Sequence, residues 1–391
     1  MSVLATSVAV IAVVTWSYLV LARGLFWRIK SAQPTVGDKT GFPGGVVAVI
    51  PARNEAELIG LVVTSLLNQS VAMPVILVDD ESTDGTADVA KRAAEKARKA
   101  DALIVIQSKP LPAGWTGKVW AMHQGIERAR ALNPAWFLLT DADVVHGPET
   151  IANLGIISHD ASHRRYDLVS FMVKLHCESL AEKLLIPAFV YFFFMLYPPA
   201  WIRDPRRATA GAAGGCMLVK AEALESVGGL ESIRSAVIDD CSLARLLKRN
   251  GAKLWLGLTD QSQSLRRYDT FSDVEHMVSR TAFNQLKHSS LLLLGAIAGM
   301  AITYLVPPLL LLTPRELTIF MGAAAWAAMT ITYSSMVRYY RLNPAWALTL
   351  PLAALFYLGA TIHSAVKYWN GVGGDWKGRV QDASRRTSAI S

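Results

Sequence analysis

Two aspartates one residue apart interrupt an apolar run, Leu138-Leu139-Thr140-Asp141-Ala142-Asp143-Val144-Val145. A second acidic pair, Asp79-Asp80, ends the upstream run Val75-Ile76-Leu77-Val78. Carboxylates at the tip of a buried strand jointly face a divalent cation that prefers oxygen ligands, and such a cation neutralises a diphosphate. An isolated Asp-x-Asp is also common in surface turns; two acidic strand ends in one domain favour the metal reading. His146, three residues after Asp143, is a candidate third ligand, although a lone histidine is more often structural. In Gly114-Trp115-Thr116-Gly117-Lys118, the glycines let backbone approach a ligand closely, and Lys118 is suited to meet a phosphate. Gly215, in the run Gly211-Ala212-Ala213-Gly214-Gly215-Cys216, reads as part of a small-residue floor under a ligand or as a tight strand-to-loop passage.

These residues need strands and helices to hold them. Apolar runs at 45–52, 73–80, 102–108 and 135–141 predict strands, and helical spacing fills 55–69, 85–100 and 118–132 between them. That alternation predicts an α/β domain whose mostly parallel sheet carries helices on both faces and its ligands at the carboxyl ends of the strands. No Gly-x-Gly-x-x-Gly follows the first strand, which disfavours a dinucleotide fold.

In order and placement, "VAVIPARNE", "LVDDESTDGT" and "LLTDADVV" resemble the family 2 glycosyltransferases of the GT-A fold. "IDDCSLARLLKRNG", residues 238–251, resembles that family's downstream acidic motif, whose second acid is the catalytic base. The resemblance places that base on Asp240, with Asp239 orienting the site or raising the pKa of Asp240. "LPAGWTGKVWAMHQG", "CESLAEKLLIPAFVYFFFMLYP", "AGAAGGCMLV", "MVSRTAFNQL" and "GGDWKGR" together resemble the hopanoid-biosynthesis-associated branch, over essentially the whole chain. What the resemblance implies is inverting transfer from a nucleotide sugar, with uridine preferred, to a membrane-lipid acceptor, aided by Mg²⁺ or Mn²⁺ on Asp141 and Asp143. Pro51, Ala52, Arg53 and Glu55 would border the nucleotide, Asp80 would reach uracil or ribose, and Trp115 and Arg280 would serve the acceptor or a phosphate. Processive relatives carry Gln-x-x-Arg-Trp after the base. Here Met277-Val278-Ser279-Arg280-Thr281 keeps only the arginine, and a second candidate, Gln263-Ser264-Leu265-Arg266-Arg267, also lacks the tryptophan, which points to one transfer per encounter. A hopanoid is one acceptor; a carotenoid, a ceramide or a polyprenyl phosphate are others, and a non-catalytic membrane scaffold is a further alternative.

Composition agrees with a membrane enzyme. The 391 residues are 52% hydrophobic and 18% charged, with mean hydropathy +0.30. The net charge of +8 is scattered in short clusters, which suits anionic lipid headgroups better than nucleic acid. Residues 3–22 carry no charge and Arg23, Arg28 and Lys30 follow, so 1–24 reads as an uncleaved anchor that starts outside. A linker at 25–44, a cytoplasmic catalytic domain at 45–285, membrane helices within 286–368 and a basic tail at 369–391 complete the expected organisation. Proline-broken 184–202 reads as interfacial or re-entrant rather than a straight span. Runs at 289–312, 316–336 and 345–366 make four spans in all, which leaves the basic tail outside. Pro307-Pro308 marks 289–312 as the misfit. The expected location is the bacterial inner membrane, with the catalytic domain in the cytoplasm. Three well-separated cysteines, Cys177, Cys216 and Cys241, read as reduced thiols.

Overall fold

A computed structural model describes residues 2–28, 30–32, 45–159, 165–370, 375–376 and 379–380. Most of the expected linker (33–44) and most of the tail lie outside the described residues. Among the described residues two compact units emerge, one within 31–175 and 201–266, the other within 1–30, 176–200 and 267–373.

The first unit is built on an eight-stranded sheet of β1 (Val46–Ala52), β2 (Val75–Asp79), β3 (Leu103–Gln107), β4 (Trp136–Thr140), β5 (Val144–His146), β6 (Leu168–Lys174), β7 (Cys216–Lys220) and β8 (Leu254–Ser264). Their spatial order is β3-β2-β1-β4-β7-β6-β8-β5. Strands β1 to β4 are mutually parallel, as are β6 and β8; β7 runs antiparallel to both β4 and β6, and β5 antiparallel to β8. This is the mixed, mostly parallel α/β GT-A architecture expected from the sequence.

All seven residues of β1 are buried, as its unbroken apolar run requires when both faces are covered. Pro51 lacks an N–H donor, and it lies beyond Val49, where pairing with β4 has ended, so no ladder bond is lost on that side. The helix Ile59–Leu67 buries Ile59, Val62, Val63, Leu66 and Leu67, the one-face spacing of an amphipathic helix. The helix Gly117–Arg130 packs on the sheet through Gly125, where a Cβ would collide with Val49 Cγ1 and lie 3.0 Å from Val78 Cγ2. That close approach fixes the helix bearing Lys118.

Two features of the order position the site. Because β1, β2 and β4 are parallel, their carboxyl ends share one edge. Because β7 is antiparallel, with Thr140 paired to Cys216, the residues that precede it arrive at that same edge.

Among the described residues five helices are long and apolar enough to cross a membrane: Leu4–Leu21, Leu180–Arg203, Ser290–Leu310, Glu316–Tyr339 and Pro344–Trp369. The expected run at 289–312 is helical over 290–310 despite its prolines. It takes a π turn at Ala301–Leu305 just before Pro307 and Pro308. Proline at 307 deprives the Thr303 carbonyl of its helical donor, and Trp16 Nε1 of the first helix donates to that oxygen at 2.7 Å. Pro187 is accommodated inside the helix Leu180–Leu196, whose start is closed by a capping box between Ser179 and Glu182.

Candidate active site

Lys118 sits in the first turn of its helix, immediately after the Gly114–Gly117 loop. The loop is tied down by Thr116, whose N–H donates to the Arg234 carbonyl at 2.8 Å and whose hydroxyl donates to the Ala236 carbonyl at 3.2 Å. Those carbonyls lead directly into the helix Asp239–Arg249. The tie therefore brings Lys118 against the acidic pair. Its Nζ lies 2.8 Å from Asp141 Oδ1 and 3.3 Å from Asp239 Oδ2.

Burial alone would lower the pKa of Lys118. The carboxylates of Asp141, Asp239 and Asp240 outweigh it and hold the lysine well above its ordinary range. It is therefore a permanent, largely buried cation.

Asp240 accepts from the Gly214 N–H at 2.8 Å and from the Cys241 N–H at 2.6 Å. Burial first, then the neighbouring Asp239 charge, pushes its pKa up to about 6, against the opposing pull of Lys118 and the two backbone donors. A carboxylate so placed is ionised at neutral pH yet basic enough to take a proton. Gly214 permits the approach: a Cβ there would lie 3.3 Å from Lys118 Nζ and 3.4 Å from Asp240 Oδ2.

A second cluster faces Asp143. Arg266 Nε donates to Asp143 Oδ2 at 3.0 Å, and its Nη2 donates to Glu55 Oε1 at 2.7 Å. Ser264 Oγ also donates to Asp143 Oδ2, at 3.2 Å. Arg53 makes a third contact, donating to the Asp80 carbonyl at 2.5 Å with its guanidinium 3.7 Å from Asp80 Oδ2; the Asp80 side chain is fully buried. Below it, Asp79 Oδ1 and Oδ2 accept from the Ser82 N–H and Gln107 Nε2. Pro51 and Ala52 are buried at the end of β1.

Several sequence expectations need revision. His146 does not turn to the carboxylates: its Nε2 pairs with Thr140 Oγ1 and its Nδ1 with Ser262 Oγ, both at 2.9 Å. Thr140 spends its own proton on the Gly215 carbonyl, so Nε2 is assigned as the donor and Nδ1 as the acceptor. Burial lowers the His146 pKa to about 4, so it is a neutral core histidine with no lone pair left for a metal. Gly215 is small for packing, since a Cβ there would lie 3.0 Å from Val173 Cγ2; the glycine at the carboxylates is Gly214. Trp115 is nearly buried, packed on Trp120 and His123 with ring centroids 5.0 and 4.8 Å away, and acts as a wedge under the loop. Arg280 is exposed at the end of the helix Phe271–Ser279, in the other unit, and is not among the residues gathered here.

Sequence reasoning missed Gly214 and the role of Arg266. Both arrive on antiparallel pairings, β4 with β7 and β5 with β8, and the Val144–Ser264 register brings the end of β8 to Asp143. The available signals for Arg266 were the Gln-x-x-Arg spacing of Gln263 to Arg266 and its place in a basic cluster with Arg267.

Among the described residues, no three His, Cys, Asp or Glu side chains form a ready metal cage. Asp141 and Asp143 each keep one carboxylate oxygen outside the contacts above. Two such oxygens, completed by phosphate oxygens of a donor, make the hard ligand set that Mg²⁺ or Mn²⁺ takes.

The family described as "Glycosyltransferase like family 2" matches residues 43–256, more than half of the chain. The chain belongs to that family. The glycosyltransferase also shares a 96-residue stretch with the 4,4'-diaponeurosporenoate glycosyltransferase of Staphylococcus aureus (strain USA300), 38% identical and covering 25% of this chain and 23% of that protein. The chain thus aligns with less than a quarter of that relative's length. Among solved structures, the mannosyltransferase PcManGT from Pyrobaculum calidifontis, in complex with GDP-Man and Mn²⁺, is similar with TM-score 0.49 and 20% identity, covering 93% of this chain and 99% of that one. TarS residues 1–349 of S. aureus, in complex with UDP-GlcNAc, gives TM-score 0.37 and 12% identity, covering 86% and 95%.

Proposed function

We propose that this glycosyltransferase moves one sugar, with inversion, from a uridine-diphosphate sugar to a hydroxyl of a polycyclic, hopanoid-type membrane lipid. The observation that supports the chemistry is Asp240, half-buried, its pKa raised to about 6, beside an Asp239 that pairs with Lys118 at 3.3 Å. The lipid acceptor is supported by the five helices of membrane-spanning length and by the hopanoid-branch motifs of the sequence.

In this reading Asp240 takes the proton of the acceptor hydroxyl as that oxygen bonds to the anomeric carbon. The bond from that carbon to the diphosphate oxygen breaks, and the nucleoside diphosphate leaves with the electron pair. Lys118, permanently charged, offsets the negative charge that grows there. Asp141 and Asp143 would hold Mg²⁺ or Mn²⁺, which supplies further charge neutralisation at the diphosphate. Arg53, Glu55 and Asp80 shape the nucleotide end of the cleft, and the absent Gln and Trp around Arg280 fit a single transfer.

The shared stretch with the diaponeurosporenoate enzyme favours a second acceptor, a carotenoid acid. The two readings differ chemically. A carboxylate acceptor is already ionised and needs no base, whereas a hydroxyl does. Lipid extracts from cells with and without the gene, compared by mass spectrometry, test both. Loss of a monoglycosylated hopanoid is the expected result; loss of a glycosylated carotenoid acid with hopanoids intact overturns the first reading.

A further inference from the structure

Arg266 occupies the carboxylate that the proposed metal needs. It comes off the end of β8 and reaches two other strand ends at once, Glu55 after β1 and Asp143 between β4 and β5. The guanidinium is two-thirds buried, while Glu55 and Asp143 are more deeply buried still, so these pairs are only partly screened by water. Asp143 is also pinned from the β8 side, its carbonyl accepting from the Leu265 N–H at 2.8 Å and its Oδ2 from Ser264. It cannot turn away from Arg266 without breaking those bonds. On the neighbouring carboxylate Lys118 does the same service for Asp141.

We propose that Arg266 is a built-in counter-ion that competes with the divalent cation for Asp143. This inference rests on the reading that Asp143 holds a metal. A dication held by the other oxygen of Asp143 would stand close to a guanidinium already bound at Oδ2, so the two cations would repel across one carboxylate. The metal alone therefore binds weakly. A diphosphate changes the balance, because it offers Arg266 a second anionic partner of bidentate geometry while Glu55 tethers its other edge. Metal and donor consequently bind together, each improving the other's affinity, and Arg266 is a positioning residue of this coupling.

The test uses the full chain in detergent micelles, with Mn²⁺ as the probe, read by calorimetry or electron paramagnetic resonance, in the absence and presence of UDP. Arg266→Gln is expected to tighten Mn²⁺ binding without UDP about tenfold, since the repulsion from one nearby positive charge is removed, and to shrink the gain that UDP provides. Arg266→Lys keeps the charge and is expected to stay near wild type, which separates competition from a general packing defect. If Arg266→Gln binds Mn²⁺ no more tightly than wild type while Asp143→Asn abolishes binding, the counter-ion role is wrong and the metal reading stands. If no Mn²⁺ binds even with UDP, or if Asp143→Asn leaves binding intact, the metal reading itself fails and the counter-ion role falls with it.

Discussion

At the scale of single residues, the carboxylate of Asp240 is the proposed base, and burial and Asp239 raise its pKa. Asp240→Asn keeps the size of the side chain and one of its two backbone hydrogen bonds but cannot accept a proton. It is expected to lower turnover on a hydroxyl acceptor by about 10² to 10⁴, while UDP affinity, measured by calorimetry, stays within a few-fold of wild type. The same carboxylate sets a pH limb. A base works only when deprotonated, and burial and Asp239 raise this pKa to about 6, so the rate should fall as pH drops through about 6. Asp239→Asn removes the second of those causes and should move the limb to lower pH. Because burial is the larger cause, the limb should not return fully to the ordinary carboxylate range. An unmoved limb would mean that another group titrates. Metal removal is expected to abolish transfer in EDTA and Mn²⁺ to restore it. His146→Gln, whose parent side chain is held between Thr140 and Ser262, should affect stability but not this metal dependence.

At the scale of elements, close approaches hold the machinery. Gly125 lets the Lys118 helix settle onto β1 and β2 at Val49 and Val78. Gly125→Ala overpacks that contact and should cost about 1–3 kcal/mol, seen as a lower unfolding temperature, with turnover reduced because Lys118 is displaced. In the helical unit, the Thr303 carbonyl freed by Pro307 depends on Trp16. Trp16→Phe keeps the edge contact with Tyr304, 5.8 Å between ring centroids, but removes the donor. It should destabilise the detergent-solubilised protein by about 1 kcal/mol; a larger loss would show that packing, not the hydrogen bond, carries the contact.

At the scale of the whole molecule, chain connectivity constrains the membrane path. Residues within 31–175 and 201–266 belong to one compact unit, and Lys118 pairs with Asp239 across that gap in sequence. Both flanks of Leu180–Arg203 must then lie on one side of the membrane, although the segment is long and apolar enough to cross. Reporter fusions at 176 and 204 are expected to give the same signal, and a fusion after residue 35 is expected to agree with them and to report the cytoplasm. Opposite signals at 176 and 204 would contradict the fold itself, because they would put Asp141 and Asp239 on opposite sides.

Much of this protein is legible from its sequence because the signals are local. The apolar runs of β1 to β4, the helical spacing between them and the acidic residues at their ends follow from burial on two faces and from the parallel order of consecutive strands. The membrane-length helices follow from uninterrupted apolar length. Tertiary structure alone decided the rest. Gly214 and Arg266 reach the site through antiparallel pairings whose register no local pattern encodes. Whether His146 faces a metal or a pair of hydroxyls depends on which side of the strand meets Thr140 and Ser262. The raised pKa of Asp240 depends on burial and on its spacing from Asp239 and Lys118, which are distances set by the fold and not by adjacency in the chain.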